Sequence, residues 1–451
     1  MDTLIMIAQV LLGLSILVGL HEWGHYIAAR IFGIRVEKFY IFFDFLFPMP
    51  NVANFALWKK KKGDTEFGLG WFPLGGYVKI AGMMDESMDK AALAQPPQPW
   101  EFRAKPAWQR LIVMLGGIIV NLILGVIIFI VLTFVNGDSY LPASAARDGI
   151  VVGEMGKKIG LQTGDKVLNI NGKPYEKFLD LISPDVLLTS NAYYTIERNG
   201  KQIRIDLPND LLEHLSDFRK NQSFISLTPR QRNFIVGEVQ SKSFAEKAGL
   251  QKGDKITAVN GEKITFFDEL QSKLAENKLK SVELTILRGN QELKLTSQVT
   301  DEGRIGFAPV FPDLEKLYQK QDYTLAQSIG IGTVRAFGVI FDNVRAFGKI
   351  FRGEISFSKS VGGPVSIGKM YGSKWDWTRF WTLTGMLSMV LAFMNFLPIP
   401  ALDGGHVIFL LYEMIARKPA PEKVLEVAQQ IGMILLLALM AFVLFADIFL
   451  K

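Results

Sequence analysis

The chain has no cysteine among its 451 residues, which excludes disulfides, iron–sulfur clusters and thiolate metal sites. Any metal must therefore be held through His, Asp or Glu. Histidine is scarce too: His21, His25, His214 and His406 are the full set. Charge is almost missing from four stretches, residues 4–20, 111–135, 381–397 and 431–450, although 21% of the whole chain is charged and 49% is hydrophobic. Each stretch has about the length, ~20 residues, that crosses a hydrocarbon core, so four membrane spans are predicted. The first follows Met1-Asp2 rather than a basic segment and has no clear small-residue cleavage site, so it is expected to be retained rather than removed as a signal. No nucleic-acid recognition motif accompanies the net charge of +6, and the basic residues fall largely beside the apolar stretches. Anionic lipid headgroups, not nucleic acid, are the expected counterpart.

The basic residues also orient the spans. Arg30, Arg35, Lys38, Lys59, Lys60, Lys61, Lys62, Lys79, Arg103, Lys105 and Arg110 fall between the first two apolar stretches, which predicts that this loop faces the cytoplasm. Arg417, Lys418 and Lys423 predict the same side for the loop after the third stretch. The long segment from about 137 to 328 is then extracytoplasmic. Within the cytoplasmic-side loop, residues 39–58 are aromatic and carry one charge, Asp44, and include Asn51. Residues 66–80, EFGLGWFPLGGYVKI, read as two short strands forming a hairpin next to the membrane, and residues 94–99 as a Gln/Pro linker. Residues 329–351 mix apolar stretches with Arg335, Arg345 and Lys349, a pattern that suits a helix lying along the membrane surface.

An internal repeat lies in the extracytoplasmic segment. GLQTGDKVLNINGK at 160–173 matches GLQKGDKITAVNGEK at 249–263, aligning Asp165 with Asp254. Each copy reads as a G-D turn, an alternating strand, an N-G hairpin turn and further strands. The pattern resembles a PDZ domain of the bacterial protease-associated type. The alternative is a pair of β modules that act only as spacers.

Two short motifs carry the chemistry. HEWGH at 21–25 sets two imidazoles four residues apart, on one face of a helix, where they can share a cation while Glu22 reaches a water at the metal's open position. The plain alternative is a pair of satisfied helix histidines, but two His and a Glu at the end of an apolar span are costly unless they bind something. A catalytic zinc needs a third protein ligand. NFLPIPALDGGH at 395–406 offers Asp403, just past a span broken by Pro398 and Pro400, and about as deep from its side as His21 is in the first span. Asp403 as a simple turn or N-cap residue is the other reading.

Together, HEWGH in a first span, LGGIIVN opening the second, PLGGYVK near the membrane, a tandem PDZ-type insert and NFLPIPALDGGH resemble the bacterial site-2 proteases, the RseP-type regulators of intramembrane proteolysis, over nearly the whole chain. The resemblance is weakest at 40–62, where the aromatic run and the four lysines depart from the family's usual link. It implies a multi-pass α-helical membrane protein with four spans, a membrane-associated β-hairpin and two inserted extracytoplasmic PDZ-like domains. The boundaries expected are 1–35 (first span), 36–106 (loop with hairpin), 107–136 (second span), 137–228 and 229–312 (PDZ-like domains), 313–375 (linker and surface helix), 376–406 (third span) and 407–451 (loop and fourth span). It implies one zinc per chain on His21, His25 and Asp403, Glu22 as acid/base, Asn395 near substrate or oxyanion, and Gly75, Gly76, Tyr77, Val78 and Lys79 pairing with the substrate as an added strand. His406 is expected to be structural or to support the ligands, Gly116, Gly117 and Asn121 to serve close helix packing, and His214 to be a surface residue.

The implied activity is cleavage of single-pass membrane proteins, such as a trimmed anti-sigma factor, in the bacterial inner membrane with the PDZ-like domains on the periplasmic side. Peptide C-termini or unfolded segments would be the ligands of those domains. Three rivals make different demands. A zincin acting on soluble peptides would carry its ligands in a charged soluble domain, a non-catalytic PDZ scaffold for envelope proteins would tolerate loss of Glu22, and a metal-using transporter has no evident use for the insert.

Overall fold

The computed structural model describes residues 2–46, 52–73, 75–83, 96–216, 223–357 and 362–447. Asn51, the start of the expected linker at 94 and 95, and the final residues 448–450 of the expected fourth span lie outside them. The chain divides into two compact units, one formed by Met1–Gly137, Asp322–Phe347 and Phe357–Lys451, the other by Asp138–Gln321 and Gly348–Ser356.

The first unit is built on helices. Helix α1 covers Asp2–Ile31 and α2 covers Ala107–Asn136. Pro106, which cannot donate to a helix from the preceding turn, stands before α2, and Gly137 at φ 58° ends it. Further along lie α3 (Leu325–Phe351), α4 (Pro364–Tyr371), α5 (Trp377–Phe396), α6 (Asp403–Ala416) and α7 (Glu422–Phe445). Among the described residues three helices are long and apolar enough to cross a membrane: Thr3–Ile31, Ala107–Asn136 and Lys423–Phe445. The helix at the expected third span, α5, is not one of them. Thr384, Gly385 and Ser388 are buried in it, and Ser388 Oγ donates to the Asn121 carbonyl of α2 at 2.7 Å. Small and hydroxylated residues of this kind suit a helix packed among other helices, and they lower its hydropathy. In α3, Gly332 stands directly over the Ile130 backbone of α2, and Arg335 Nη1 donates to Thr133 Oγ1 at 3.1 Å.

A four-stranded sheet lies against α1. Its strands are β1 (Val36–Ile41), β2 (Ala56–Lys62), β3 (Thr65–Gly70) and β4 (Tyr77–Ile80), in the order β2-β3-β1-β4. Both strands expected in 66–80 are present, but they do not pair with each other. β1 stands between them, parallel to β3 and antiparallel to β4, so the hairpin expected there is replaced by one between β2 and β3. The local pattern carries no information about a third strand that arrives from the end of α1. Phe39 and Phe67 fix the sheet to the helix through ring contacts with Tyr26 at 5.8 and 5.7 Å. β4 is left as an edge strand.

The second unit holds two modules with separate apolar cores, one around Ile150, Leu161, Tyr194 and Ile196, the other around Val236, Leu270, Leu284 and Ile286. The repeat seen in the sequence reappears as repeated bonds. Asp165 accepts the Gln162 N–H at 2.7 Å and pairs bidentately with Arg198; Asp254 accepts the Gln251 N–H at 2.8 Å and pairs the same way with Arg288. Each arginine also donates to the first carbonyl of its repeat, Gly160 or Gly249. Asn171 and Asn260 hold φ of 49° and 52° before glycines that also have positive φ, the geometry of a type I′ turn, and each side-chain oxygen accepts one further backbone N–H, from Tyr193 or Glu283.

Candidate metal centre

The HEWGH string falls within α1, and its alternating demands are visible in the packing. His21 and His25 project to one face, Trp23 is exposed on another, and Gly24 lies against the backbone of Gly116 in α2. A Cβ on Gly24 would come within 2.3 Å of the Gly116 carbonyl oxygen, so both positions must be glycine for the two helices to meet this closely. Gly117 does more than admit a helix: a Cβ there would lie 2.4 Å from His25 Nε2 and 2.6 Å from His21 Cε1. The second helix thus forms the floor beneath both imidazoles.

Asp403 reaches the same point from α6. The chain leaves α5 at Phe396, passes through Pro398 and Pro400, adopts φ 80° at Ala401 and enters α6 at Asp403. Gly404 and Gly405 are needed because this loop folds over the first turn of α6. A Cβ would come within 2.2 Å of the Leu397 carbonyl oxygen at Gly404 and 2.7 Å of the Ile399 carbonyl oxygen at Gly405. The sequence motif DGG is therefore a candidate ligand followed by the two residues that let its loop close.

Three ligand atoms converge. His21 Nε2 and His25 Nε2 are 3.3 Å apart, and Asp403 Oδ2 lies 3.2 Å from the first and 3.4 Å from the second. His25 Nδ1 sits 2.8 Å from the Val113 carbonyl oxygen of α2, so Nδ1 carries a hydrogen and, in a neutral ring, Nε2 presents a lone pair. Asp403 Oδ2 is buried and has no hydrogen-bond partner, its contacts with the imidazoles being close but off the directions a hydrogen bond needs. A carboxylate oxygen and imidazole lone pairs facing one another are unfavourable without a cation between them. The separations fit a zinc ion: metal–ligand bonds of about 2.0–2.2 Å in a tetrahedron place the ligand atoms about 3.3–3.6 Å apart. With these three residues as ligands, a fourth position would be left for water or substrate.

A cavity of about 350 Å³ opens on this triangle, walled by Glu22, Gly76, Tyr77, Val78, Lys79, His406 and others. Gly76 packs close to Glu22, with room of only 3.4 Å between a Cβ and Glu22 Cγ, so the start of β4 passes directly over that side chain. Gly75 does not line the cavity and abuts the Phe43 ring. Asn395 approaches from the end of α5, with Nδ2 3.4 Å from His21 Nε2. His214 lies in the other unit, beside Asp210.

Three residues belong to the site's surroundings that the sequence reading placed elsewhere or left without a role. Asp44, the one charge in an aromatic run, accepts the Tyr77 hydroxyl at 2.9 Å. Burial first, and the neighbouring Asp44 carboxylate second, push the Tyr77 hydroxyl well above the usual phenol range, so it remains a donor. An isolated charge among aromatics was the available signal. Gly117 and Asn121, read as packing residues, both touch His21; Asn121 Nδ2 is 3.2 Å from His21 Nδ1.

Two histidines, a carboxylate and a glutamate facing one cavity are an arrangement found in metal-dependent hydrolases, and the comparisons with known proteins agree. The chain belongs to peptidase family M50, whose family model matches residues 9–439, and it is a zinc metalloprotease. It is 28% identical to protease RseP of Yersinia pestis over 99% of both chains, and 28% identical to the regulator of sigma-E protease RseP of Escherichia coli over 98% of both. A Neisseria meningitidis protein named as a zinc metalloprotease is also 28% identical, over 96% of both chains.

Proposed function

We propose that this metalloprotease cuts single-pass membrane proteins within or beside the bilayer, with His21, His25 and Asp403 as ligands of one zinc per chain. The observation that carries the reading is the triangle of ligand atoms at tetrahedral spacing, set on a helix long and apolar enough to span a membrane. A zinc ion bound there supplies Lewis acidity and lowers the pKa of a coordinated water. Glu22 takes up the proton of the attacking water and returns it to the leaving amine. Asn395 donates from its amide to the oxygen that gains charge. The edge strand β4, with Gly75 and Gly76 before it and Tyr77, Val78 and Lys79 within it, accepts the unwound substrate as a further strand. A helix hides its carbonyls in its own hydrogen bonds, and a free sheet edge offers partners to the groups released on unwinding.

The reading extends to topology. With α5 as a fourth span, the chain is a multi-pass protein of the bacterial inner membrane, with the two modules as PDZ-like domains on the periplasmic side. The membrane substrate is of the kind an anti-sigma factor represents after an earlier cut, consistent with a relative named for sigma-E regulation. The test is cleavage of a tagged single-span reporter by wild type and by Glu22→Gln, each with its zinc content measured. Loss of cleavage with zinc retained near one per chain is expected. Cleavage surviving in Glu22→Gln would overturn the mechanism.

A further inference from the structure

The outer partners of the two imidazoles come from one helix. Val113 of α2 presents its carbonyl to His25 Nδ1 at 2.8 Å, and two turns further on Asn121 presents its amide to His21 Nδ1 at 3.2 Å. Asn121 is fully buried, and its Oδ1 has no hydrogen-bond partner. A bare buried amide oxygen is costly, by the full desolvation of the group, and calls for an explanation. The side chain joins α2 to α1 only through Nδ2, at His21, and that contact leaves Oδ1 without a partner. Contact with α5 runs through the backbone instead, where the Asn121 carbonyl accepts from Ser388 Oγ at 2.7 Å.

We infer that Asn121 is a positioning residue for the zinc ligand His21: its Oδ1 accepts the Nδ1–H of His21 and so fixes the tautomer that turns the Nε2 lone pair toward the metal. The inference rests on the zinc reading above. The two ends of an amide fill nearly the same volume, so a half-turn about the Cβ–Cγ bond places Oδ1 where Nδ2 now stands, against His21 Nδ1. Ligation through Nε2 requires a hydrogen on Nδ1, and a hydrogen there requires an acceptor. With Nδ2 facing it, Nδ1 would be the acceptor, and the hydrogen would sit on Nε2, between His25 and Asp403, where the cation belongs. Each imidazole then has one oxygen of α2 behind it: a backbone carbonyl for His25, a side-chain amide for His21.

The donor and acceptor assignments separate cleanly by substitution. Asn121→Asp offers only acceptors at the same place, whereas Asn121→Leu keeps the volume and offers nothing. Zinc affinity of the full-length protein would be measured by competition with a chromophoric chelator, with thermal unfolding of the same samples and with wild type and His21→Ala as references. Asn121→Asp is expected to bind zinc at least as tightly as wild type, and Asn121→Leu about 10–100-fold more weakly. Asn121→Asp losing as much as Asn121→Leu, or Asn121→Leu matching wild type, would overturn the inference while leaving the zinc site standing. Wild type binding no more tightly than His21→Ala would instead remove the zinc reading itself. Should both variants fail to fold, nitrogen-15 NMR of histidine-labelled wild type with zinc removed and restored decides the point: the inference requires His21 to carry its hydrogen on Nδ1 with zinc bound, and an Nδ1 without hydrogen overturns it.

Discussion

Gly117→Ala is the smallest change that tests whether α2 serves as the floor of the metal centre. The added methyl would stand 2.4 Å from His25 Nε2 and 2.6 and 2.7 Å from His21 Cε1 and Nδ1, where contact ordinarily begins at 3.4 Å. Each ring must therefore withdraw by about 1 Å, whereas metal–ligand distances tolerate changes of about 0.2 Å. The rings cannot yield like the free end of a long side chain, because His25 is held by Val113 and His21 is flanked by Asn121. The alternative, parting α1 from α2, forfeits the contact between Gly24 and Gly116 and costs about 1–3 kcal/mol, the usual range for overpacking. Gly117→Ala is expected to bind zinc at least about 10-fold more weakly than wild type, a loss of ~1.4 kcal/mol or more, with reporter cleavage falling alongside. Gly116→Ala supplies the contrast. Its methyl would meet the Gly24 carbonyl oxygen at 2.5 Å, backbone against backbone, so it should lower the unfolding temperature more than Gly117→Ala does. Chelator competition and thermal unfolding on the same preparations separate the two effects. Gly117→Ala holding zinc with wild-type affinity would refute the argument.

Two further outcomes follow from the structure. Asp254→Asn removes one partner of the ion pair with Arg288 and should destabilise the second module by about 2–3 kcal/mol, below the range for fully buried pairs because Arg288 is a third exposed. Burial pushes the Asp254 carboxyl up, but the Arg288 bonds and the Gln251 N–H outweigh it, so its pKa lies below the ordinary value. A depressed folded-state pKa stabilises above the unfolded value near ~3.9 and loses that contribution as pH falls through the folded value. Calorimetry of the full chain should accordingly show acid destabilisation of this module that Asp254→Asn flattens, and an unchanged pH profile in the variant would count against the pairing. Tyr77→Phe takes the donor away from Asp44 and should loosen β4 by about 1 kcal/mol, read as faster amide exchange over residues 77–80 with zinc content unchanged. Unaltered exchange would mean that the strand is held by its backbone ladder with β1 alone.

What could be read from the sequence was what depends on spacing within one element. Two imidazoles four residues apart share a helix face wherever that helix lies, and Pro398, Pro400 and the DGG string announce a broken chain at Asp403 without reference to anything else. The repeated GLQ-GD and N-G strings likewise name local turns, and their bonds recur in both copies. What could not be read depends on partners distant in the chain. The sheet order follows from β1 arriving off the end of α1 and entering between β3 and β4, which no alternation within residues 66–80 reveals. The pairing of Asp44 with Tyr77 spans 33 positions and that of Asn121 with His21 spans 100. For α5, an apolar run was visible, but not that its Thr384 and Ser388 would be buried against other helices.

These long-range contacts share a direction, and it bears on why the centre holds its shape inside an apolar helix layer. The proposed ligands come from α1 and from the start of α6, two places that the chain joins only after hundreds of residues. Neither element alone fixes a distance to the other. α2 lies against α1 through Gly24 and Gly116, sets Gly117 and Asn121 against His21, holds His25 from Val113 and accepts Ser388 of α5 on the Asn121 carbonyl. Because α5 leads through the proline loop directly into Asp403, the helix that orients both imidazoles also sets where the carboxylate enters. A catalytic metal site needs ligand positions held to within a fraction of an ångström. For the proposed site, that constraint would fall to one helix that supplies none of the three ligand residues, which is why its sequence, LGGIIVN, looks like ordinary packing until the imidazoles are placed against it.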